Sequence, residues 1–287
     1  MLCSVSTPPS GPSPELAPHP VLTDYYGDAP RRPQFLQRLF DATAPSYDRI
    51  ERLIGFGSGP WYRRDALTRA GLQNGMRVLD VAVGTGLVAR EAIAVAGGTG
   101  QVWGLDPSPG MLHEARRLLH LPGILGLGET LPLHDASIDF VSMGYALRHL
   151  EDLVRTFREF RRVLRPGGRV CILELTRPSN RVGRAILRAY LKRVVPFFTL
   201  VFTRNRDAKL LMQYFWDTIE NCVPPDRILE ALAAAGFVRV RRTLSLGLFS
   251  EYTGQAPGPE VSAVGDEDRQ VRGNFAERIF PIVEPRA

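Results

Sequence analysis

The chain has 287 residues, 44% of them hydrophobic and 23% charged, which suits a globular protein with one sizeable core and excludes a fibrous or low-complexity one. A formal charge of +6 favours anionic partners or surfaces without choosing among them, but the basic residues are dispersed and accompany no nucleic-acid reader motif, so no nucleic acid is expected as a partner. Three distant cysteines, Cys3, Cys171 and Cys222, argue against a disulfide framework and a CxxC metal site, and no metal is expected.

In chain order, residues 1–30 are rich in Pro and Ser, with too little apolar periodicity to offset the entropy of ordering, and read as a disordered tail. They lack the apolar core of a secretory signal, and no stretch has the length and purity of a membrane span, so the expected location is cytoplasmic. Residues 31–254 form the expected domain, and 255–287, again mixing Pro, Gly and charge, a second tail.

Inside the domain, strand-like runs alternate with helical patterns. The runs are Arg77–Val81, Gln101–Asp106, Ile138–Met143 and Arg169–Glu174. This alternation predicts right-handed βαβ crossovers and an α/β fold with a doubly wound, mostly parallel, Rossmann-like sheet. Ligands in such sheets sit beyond the carboxyl ends of the strands, so the loops after these runs are the candidate site.

The first loop, Asp80-Val81-Ala82-Val83-Gly84-Thr85-Gly86, leads into a helix predicted over Leu87–Val95. Gly84 and Gly86 permit close approach of backbone to ligand, and the helix start is expected to offer free N–H groups. A dinucleotide would require GxGxxG spacing, which fails at Val88. The second run ends in Asp106-Pro107-Ser108-Pro109-Gly110-Met111, where Asp106 is placed to accept both hydroxyls of a ribose or to cap the helix starting near Pro109.

The first loop resembles the nucleoside-binding loop of class I S-adenosylmethionine-dependent methyltransferases, with Ala82 standing where the motif usually has its first glycine. That resemblance implies S-adenosyl-L-methionine as cofactor, held by Asp80, Ala82, Gly84, Gly86, Asp106, Pro107 and Met111, with Gly128 and Glu129 of Gly128-Glu129-Thr130-Leu131-Pro132-Leu133 edging the adenine. Leu127 occupies the place, four residues before the Leu-Pro pair, where such enzymes commonly carry Asp or Asn. The stretch Arg162–Val170, with its Pro-Gly-Gly, is the helix-turn-strand signature of the fold.

Further segments are similar to one subfamily, the UbiE-type carbon methyltransferases of ubiquinone and menaquinone biosynthesis, over roughly residues 36–254. They are Phe40–Asp48, Ser58–Arg64, Tyr145–Asp152, Ala235-Gly236-Phe237 and Tyr252-Thr253-Gly254. The resemblance implies an N-terminal helical cap carrying Tyr47, a cofactor contact at Tyr145, and a lipophilic quinol or related aromatic acceptor methylated at carbon. It points to Arg148 as a catalytic residue that stabilises a phenolate or positions a water by charge, and beside it His149 is a second catalytic candidate because its free pKa suits proton transfer near neutrality. His149 replaces the family's usual Asn, and the Asn common after the Tyr-Asp pair is missing at Arg49–Arg52. The structural alternatives are a surface histidine, and for Arg148 an ion pair with Glu151 or Asp152.

Residues 181–215 read as a helical insertion covering the domain. Arg181, Arg184, Arg188 and Lys192 recur at helical spacing against Val182, Ile186, Leu187, Leu191 and Val195, and Phe197–Phe202 is strongly apolar. This pattern fits peripheral contact with an acidic membrane, or a packed insertion serving a homodimer. Two further functional readings stay open: methylation of a specialised small molecule at O, N or C, and a non-catalytic cofactor-binding partner in a biosynthetic assembly.

Overall fold

Four short, nearly continuous apolar runs build the centre of the molecule. They are β1 (Val78–Val81), β2 (Val102–Asp106), β4 (Ile138–Gly144) and β5 (Leu164–Leu175). β1 and β2 are buried along their whole length, as parallel strands covered on both faces must be. The computed structural model describes residues 15–49, 51, 59–195 and 207–258. With β3 (Gly123–Leu125), β6 (Val238–Ser245) and β7 (Phe249–Gln255), the sheet has seven strands in the order β3-β2-β1-β4-β5-β7-β6, where β7 runs antiparallel to β5 and β6. The order reverses between β1 and β4, which opens a crevice at their carboxyl ends.

The helices are α1 (Arg32–Thr43), α2 (Gly59–Arg69), α3 (Leu87–Ala96), α4 (Pro109–Leu119), α5 (Leu153–Val163), α6 (Arg181–Ala189), α7 (Asp207–Asn221) and α8 (Pro225–Ala234). α5 shows how sequence makes packing: Asp152 caps it by accepting from Val154 N at 2.9 Å, and Leu153, Phe157 and Phe160 fall on one face and are fully buried. Each such side chain contributes about 1.5–3 kcal/mol by leaving water. The Pro-Gly-Gly turn appears as a bulge inside β5: Ile138 pairs with Leu164 and Phe140 with Arg169, so the residues between loop out, with Gly167 at φ +80°.

A third apolar cluster, separate from the two on the sheet faces, covers the carboxyl end. It joins Tyr26 and Leu39 with Leu191, Val195, Leu211, Tyr214, Phe215 and Trp216. The stretch 15–30 departs from the tail expected there. Leu16 O accepts from Leu153 N, Pro18 O accepts from Val223 N, and Tyr26 is buried against α1 and α7. A few aromatic anchors, rather than periodicity, order it. Residues 1–14 and 259–287, and the Phe197–Phe202 run, lie outside the described residues.

Candidate functional site

Asp80 closes β1 and is 1% exposed. Its Oδ1 accepts from Ser142 Oγ at 2.7 Å, while Oδ2 is buried without a partner, and burial pushes the carboxyl up to about 7. The following loop turns through left-handed backbone at Ala82 (φ +54°), Gly84 (+57°) and Gly86 (+91°). Ala82 therefore holds a conformation that glycine adopts freely and alanine adopts at a cost. A Cβ at Gly84 would meet nothing within 4 Å, so the requirement there is conformational. At Gly86 it would also collide with Leu119.

The free N–H groups expected in this loop are largely taken. Val83 N donates to Leu105 O, Gly86 N to Val83 O, and Gly84 N to Asp106 Oδ2 at 2.8 Å. Asp106 Oδ1 accepts from Ser108 N, and burial pushes this carboxyl up to about 6. The cap of α4 belongs to Ser108, whose side chain accepts from Met111 N, leaving Asp106 to tie the first two loops together. Glu129 is buried and its Oε1 accepts from Glu151 N.

Ten of the eleven expected cofactor residues, Tyr47, Asp80, Ala82, Gly84, Asp106, Pro107, Met111, Gly128, Glu129 and Tyr145, line one cavity of about 420 Å³; Gly86 does not line it and instead packs toward Leu119. This end of the cavity presents carboxylates, with the loop's donors already satisfied. A pyrophosphate would meet like charge there, whereas a cationic amine or sulfonium is favoured, and the unpartnered Asp80 Oδ2 is an acceptor that such a ligand satisfies. Among the described residues no group of three or more His, Cys, Asp or Glu is gathered to hold a metal.

The N-terminal cap is latched to both cofactor loops through residues that the sequence did not single out for this. Asp48 Oδ1 accepts from Thr85 Oγ1 at 2.6 Å, and Asp41 Oδ1 accepts from Gly110 N at 2.9 Å and from Ser108 Oγ. Their only signal was proximity to Phe40 and Tyr47 in the cap segment. Arg32 of α1 reaches across to donate to Arg148 O at 3.0 Å. Tyr47 packs against Phe40, and burial pushes its hydroxyl up to about 12.

Arg148 and His149 form one short 3-10 turn after β4 but face different surroundings. Arg148 is 1% exposed; its Nη1 pairs with Glu174 at the end of β5 and its Nε donates to Thr218 Oγ1 of α7 at 3.1 Å. The alternative pairing with Glu151 or Asp152 is not formed, because Asp152 caps α5 and Glu151 N is directed to Glu129.

His149 is no surface histidine. Its ring lies in an aromatic box, edge-on to Phe40 at 5.3 Å and stacked on Tyr214 at 5.6 Å and Phe215 at 5.9 Å. Titration near neutrality is corrected: burial, then the charges of Arg148 and Arg32, hold its pKa well below the usual 6.5, so the ring is neutral. Both ring nitrogens are buried without partners, and the residue lines the cofactor cavity.

A second cavity, of about 430 Å³, shares Tyr47, Glu51, Arg63 and Tyr145 with the first and is otherwise lined mainly by apolar residues, among them Leu175, Leu191, Phe215, Ile219 and Phe249. Tyr145 stands at the junction in a left-handed conformation, φ +60°. The site is thus two adjoining, mainly apolar chambers, the first carrying Asp80, Asp106 and Glu129 at its loops, which share a wall of Tyr47, Glu51, Arg63 and Tyr145.

Comparison with known proteins bears on this arrangement. The sequence pattern of the ubiE/COQ5 methyltransferase family matches residues 30–255. A demethylmenaquinone methyltransferase of Symbiobacterium thermophilum is 33% identical over 233 residues, covering 77% of this chain and 92% of the relative. Another from Anoxybacillus flavithermus is 29% identical over 231 residues, covering 77% and 95%. Among solved structures, phosphoethanolamine N-methyltransferase 2 of Haemonchus contortus in complex with S-adenosyl-L-methionine superposes with a TM-score of 0.57 at 17% identity, over 80% of this chain and 61% of that one, a likeness of fold.

Proposed function

The chain belongs to the ubiE/COQ5 methyltransferase family, and from that premise we propose that it methylates a ring carbon of a lipophilic quinol. It is an S-adenosyl-L-methionine-dependent methyltransferase. The observation that carries the acceptor reading is the pair of chambers: one whose loops bring Asp80, Asp106 and Glu129 to the methyl donor adjoins, at Tyr145 and Arg63, a second whose Leu175, Leu191, Phe215, Ile219 and Phe249 suit a hydrophobic ring and its tail.

Asp80, Asp106, Met111 and Glu129 would hold the cofactor, which supplies an electrophilic methyl group. The chain's own residues supply the rest. Methylation at carbon releases one proton from the acceptor; His149, neutral and with both nitrogens unpartnered, is in the state to accept a hydroxyl hydrogen bond and so orient the acceptor, while burial beside Arg148 and Arg32 disfavours its carrying the proton itself. The aromatic box excludes water and keeps the imidazole oriented. Arg148 serves this site as a positioning residue: its pairing with Glu174 and Thr218 anchors the turn that carries His149.

Calorimetry with S-adenosylhomocysteine, followed by turnover of demethylated mena- and ubiquinols, tests this reading. Binding with methyl transfer to the quinol ring is expected. Binding without transfer to any quinol would overturn the acceptor assignment in favour of another small molecule.

The cover supports membrane contact as well. Leu187, Leu191 and Val195 pack inward, so the outward face of α6 is Val182 and Ile186, 69% and 64% exposed, beside exposed Arg181 and Arg188. That face suits an acidic bilayer that stores the acceptor. Arg184 and Lys192 are instead paired, with Glu220 and Asp217. Among the described residues no helix is long and apolar enough to cross a membrane. Sedimentation with acidic vesicles should fall on reversing Arg181 and Arg188 to Glu; unchanged sedimentation, or self-association through this face without vesicle binding, would favour the homodimer.

A further inference from the structure

Three buried guanidinium groups surround the two chambers, and their hydrogen bonds differ. Arg148 is held by Glu174 and Thr218, and Arg32 by the Arg148 carbonyl and His19, with its Nε alone unpartnered. Arg63, on α2 and 2% exposed, pairs with Glu51 through Nη2 alone, and its Nε and Nη1 are buried without partners. It lines both chambers, and its guanidinium carbon lies 5.6 Å from the centre of the Tyr145 ring.

Leaving charged donors buried and unpaired is destabilising, a cost that an arriving oxygen anion removes. The left-handed backbone of Tyr145 beneath it is the kind of strain that persists where a surface is held ready for a ligand. We propose that Arg63 is the anion-binding group of the acceptor site, receiving a phenolate oxygen of the quinol where the two chambers meet, with Glu51 as the competing counter-charge. This rests on the reading of the site as a quinol methyltransferase.

The chemistry follows from the position. A hydroxyl whose oxygen lies against Arg63 loses its proton more readily, because the cation favours the charged form. The phenolate pushes electron density onto the adjacent ring carbon, and that carbon is the nucleophile. With the oxygen at the junction, the ring lies toward the cofactor chamber and the tail runs among Leu191, Phe215, Ile219 and Phe249. Glu51 stays on Nη2 and competes through its charge, while the acceptor oxygen takes the free Nε and Nη1.

The test uses the full chain saturated with S-adenosylhomocysteine and the coloured anion of hydroxynaphthoquinone as probe, followed by its absorbance. Arg63→Met is expected to weaken probe binding about tenfold or more while leaving S-adenosylhomocysteine affinity unchanged, Arg63→Lys to recover part of it, and Glu51→Gln to tighten it. In turnover, Arg63→Met is expected to move the pH profile of kcat/KM for a demethylated quinol upward. Equal probe affinity in wild type and Arg63→Met, or weaker binding in Glu51→Gln, overturns the proposal; Glu51→Gln decides the matter if Arg63→Met does not fold. Probe binding that depends on Arg63 without turnover of any quinol would sink the quinol reading and leave the anion site standing.

Discussion

At the cofactor end of the site, Asp106 takes the N–H groups of both Gly84 and Ser108, and Asp41 and Asp48 latch the cap onto the same two loops. At the acceptor end, His149 and Arg63 leave both imidazole nitrogens and two guanidinium nitrogens buried without partners. The first region is complete before any ligand arrives, Asp80 Oδ2 excepted; the second meets its hydrogen-bonding needs only when something enters. A preformed, carboxylate-lined end lowers the ordering cost of binding the methyl donor, while unpaired groups at the other end discriminate by rejecting molecules that cannot satisfy them.

The contrast can be broken most severely at its support. Glu174→Ala leaves the Arg148 guanidinium buried and uncompensated, and should cost about 3–5 kcal/mol in denaturant unfolding. A loss under 1 kcal/mol would mean that the pair is not holding the turn.

Next in size is His149→Phe, which keeps the aromatic packing and removes the hydrogen-bonding nitrogens. We expect kcat to fall by about a hundredfold or more with S-adenosylhomocysteine affinity intact; parallel loss of both would deny the separation of the two ends. The same change should flatten the acid limb of stability. Because burial lowers the ring's pKa, the unfolded chain takes up a proton below pH 6.5 that the folded one does not, and wild type therefore loses stability as pH falls through that range.

Asp80 tests the cofactor end. Asp80→Asn should weaken S-adenosylhomocysteine binding by about ten- to a hundredfold. The carboxyl titrates at about 7 in the folded chain, above its usual 3.8, so wild-type affinity for a ligand that places its ammonium group against Asp80 should rise as pH rises through about 7, and the variant's should not. Linkage has the opposite sign for folding. The unfolded carboxyl ionises first, so stability without ligand declines between about 4 and 7, and Asp80→Asn should be the more stable protein above that window.

The smallest effect is expected at Ala82. Ala82→Gly relieves the left-handed strain, less the extra entropy of a glycine in the unfolded chain, and should stabilise by about 1 kcal/mol or less, read as a rise in Tm, with cofactor affinity unchanged.

Much of the cofactor end was legible because its parts are contiguous. A strand, a Gly-bearing turn and a helix follow one another from Val78 to Ala96, and Asp80, Gly84 and Gly86 carry their signals in residue type alone. The strand-helix alternation likewise predicted the doubly wound sheet, and the resemblance over most of the chain led to the family. The tie of Gly84 N to a second loop, 22 residues on, left no local signal in the sequence.

The acceptor end follows another logic. Arg148 meets Glu174 across 26 residues and Thr218 across 70, and Arg32 reaches the Arg148 carbonyl across 116. Nothing in residue spacing shows whether an arginine is paired, or whether a histidine sits in water or in a box of Phe40, Tyr214 and Phe215. Periodicity and turn chemistry are local, so they were enough for the four central parallel strands and the cofactor loop, but not for β3, β6 and β7 at the sheet's edges. Desolvation and pairing depend on which distant side chains arrive together, so only the tertiary structure decided that His149 is neutral, that Arg148 is bound to Glu174, and that Arg63 keeps two donors unspent.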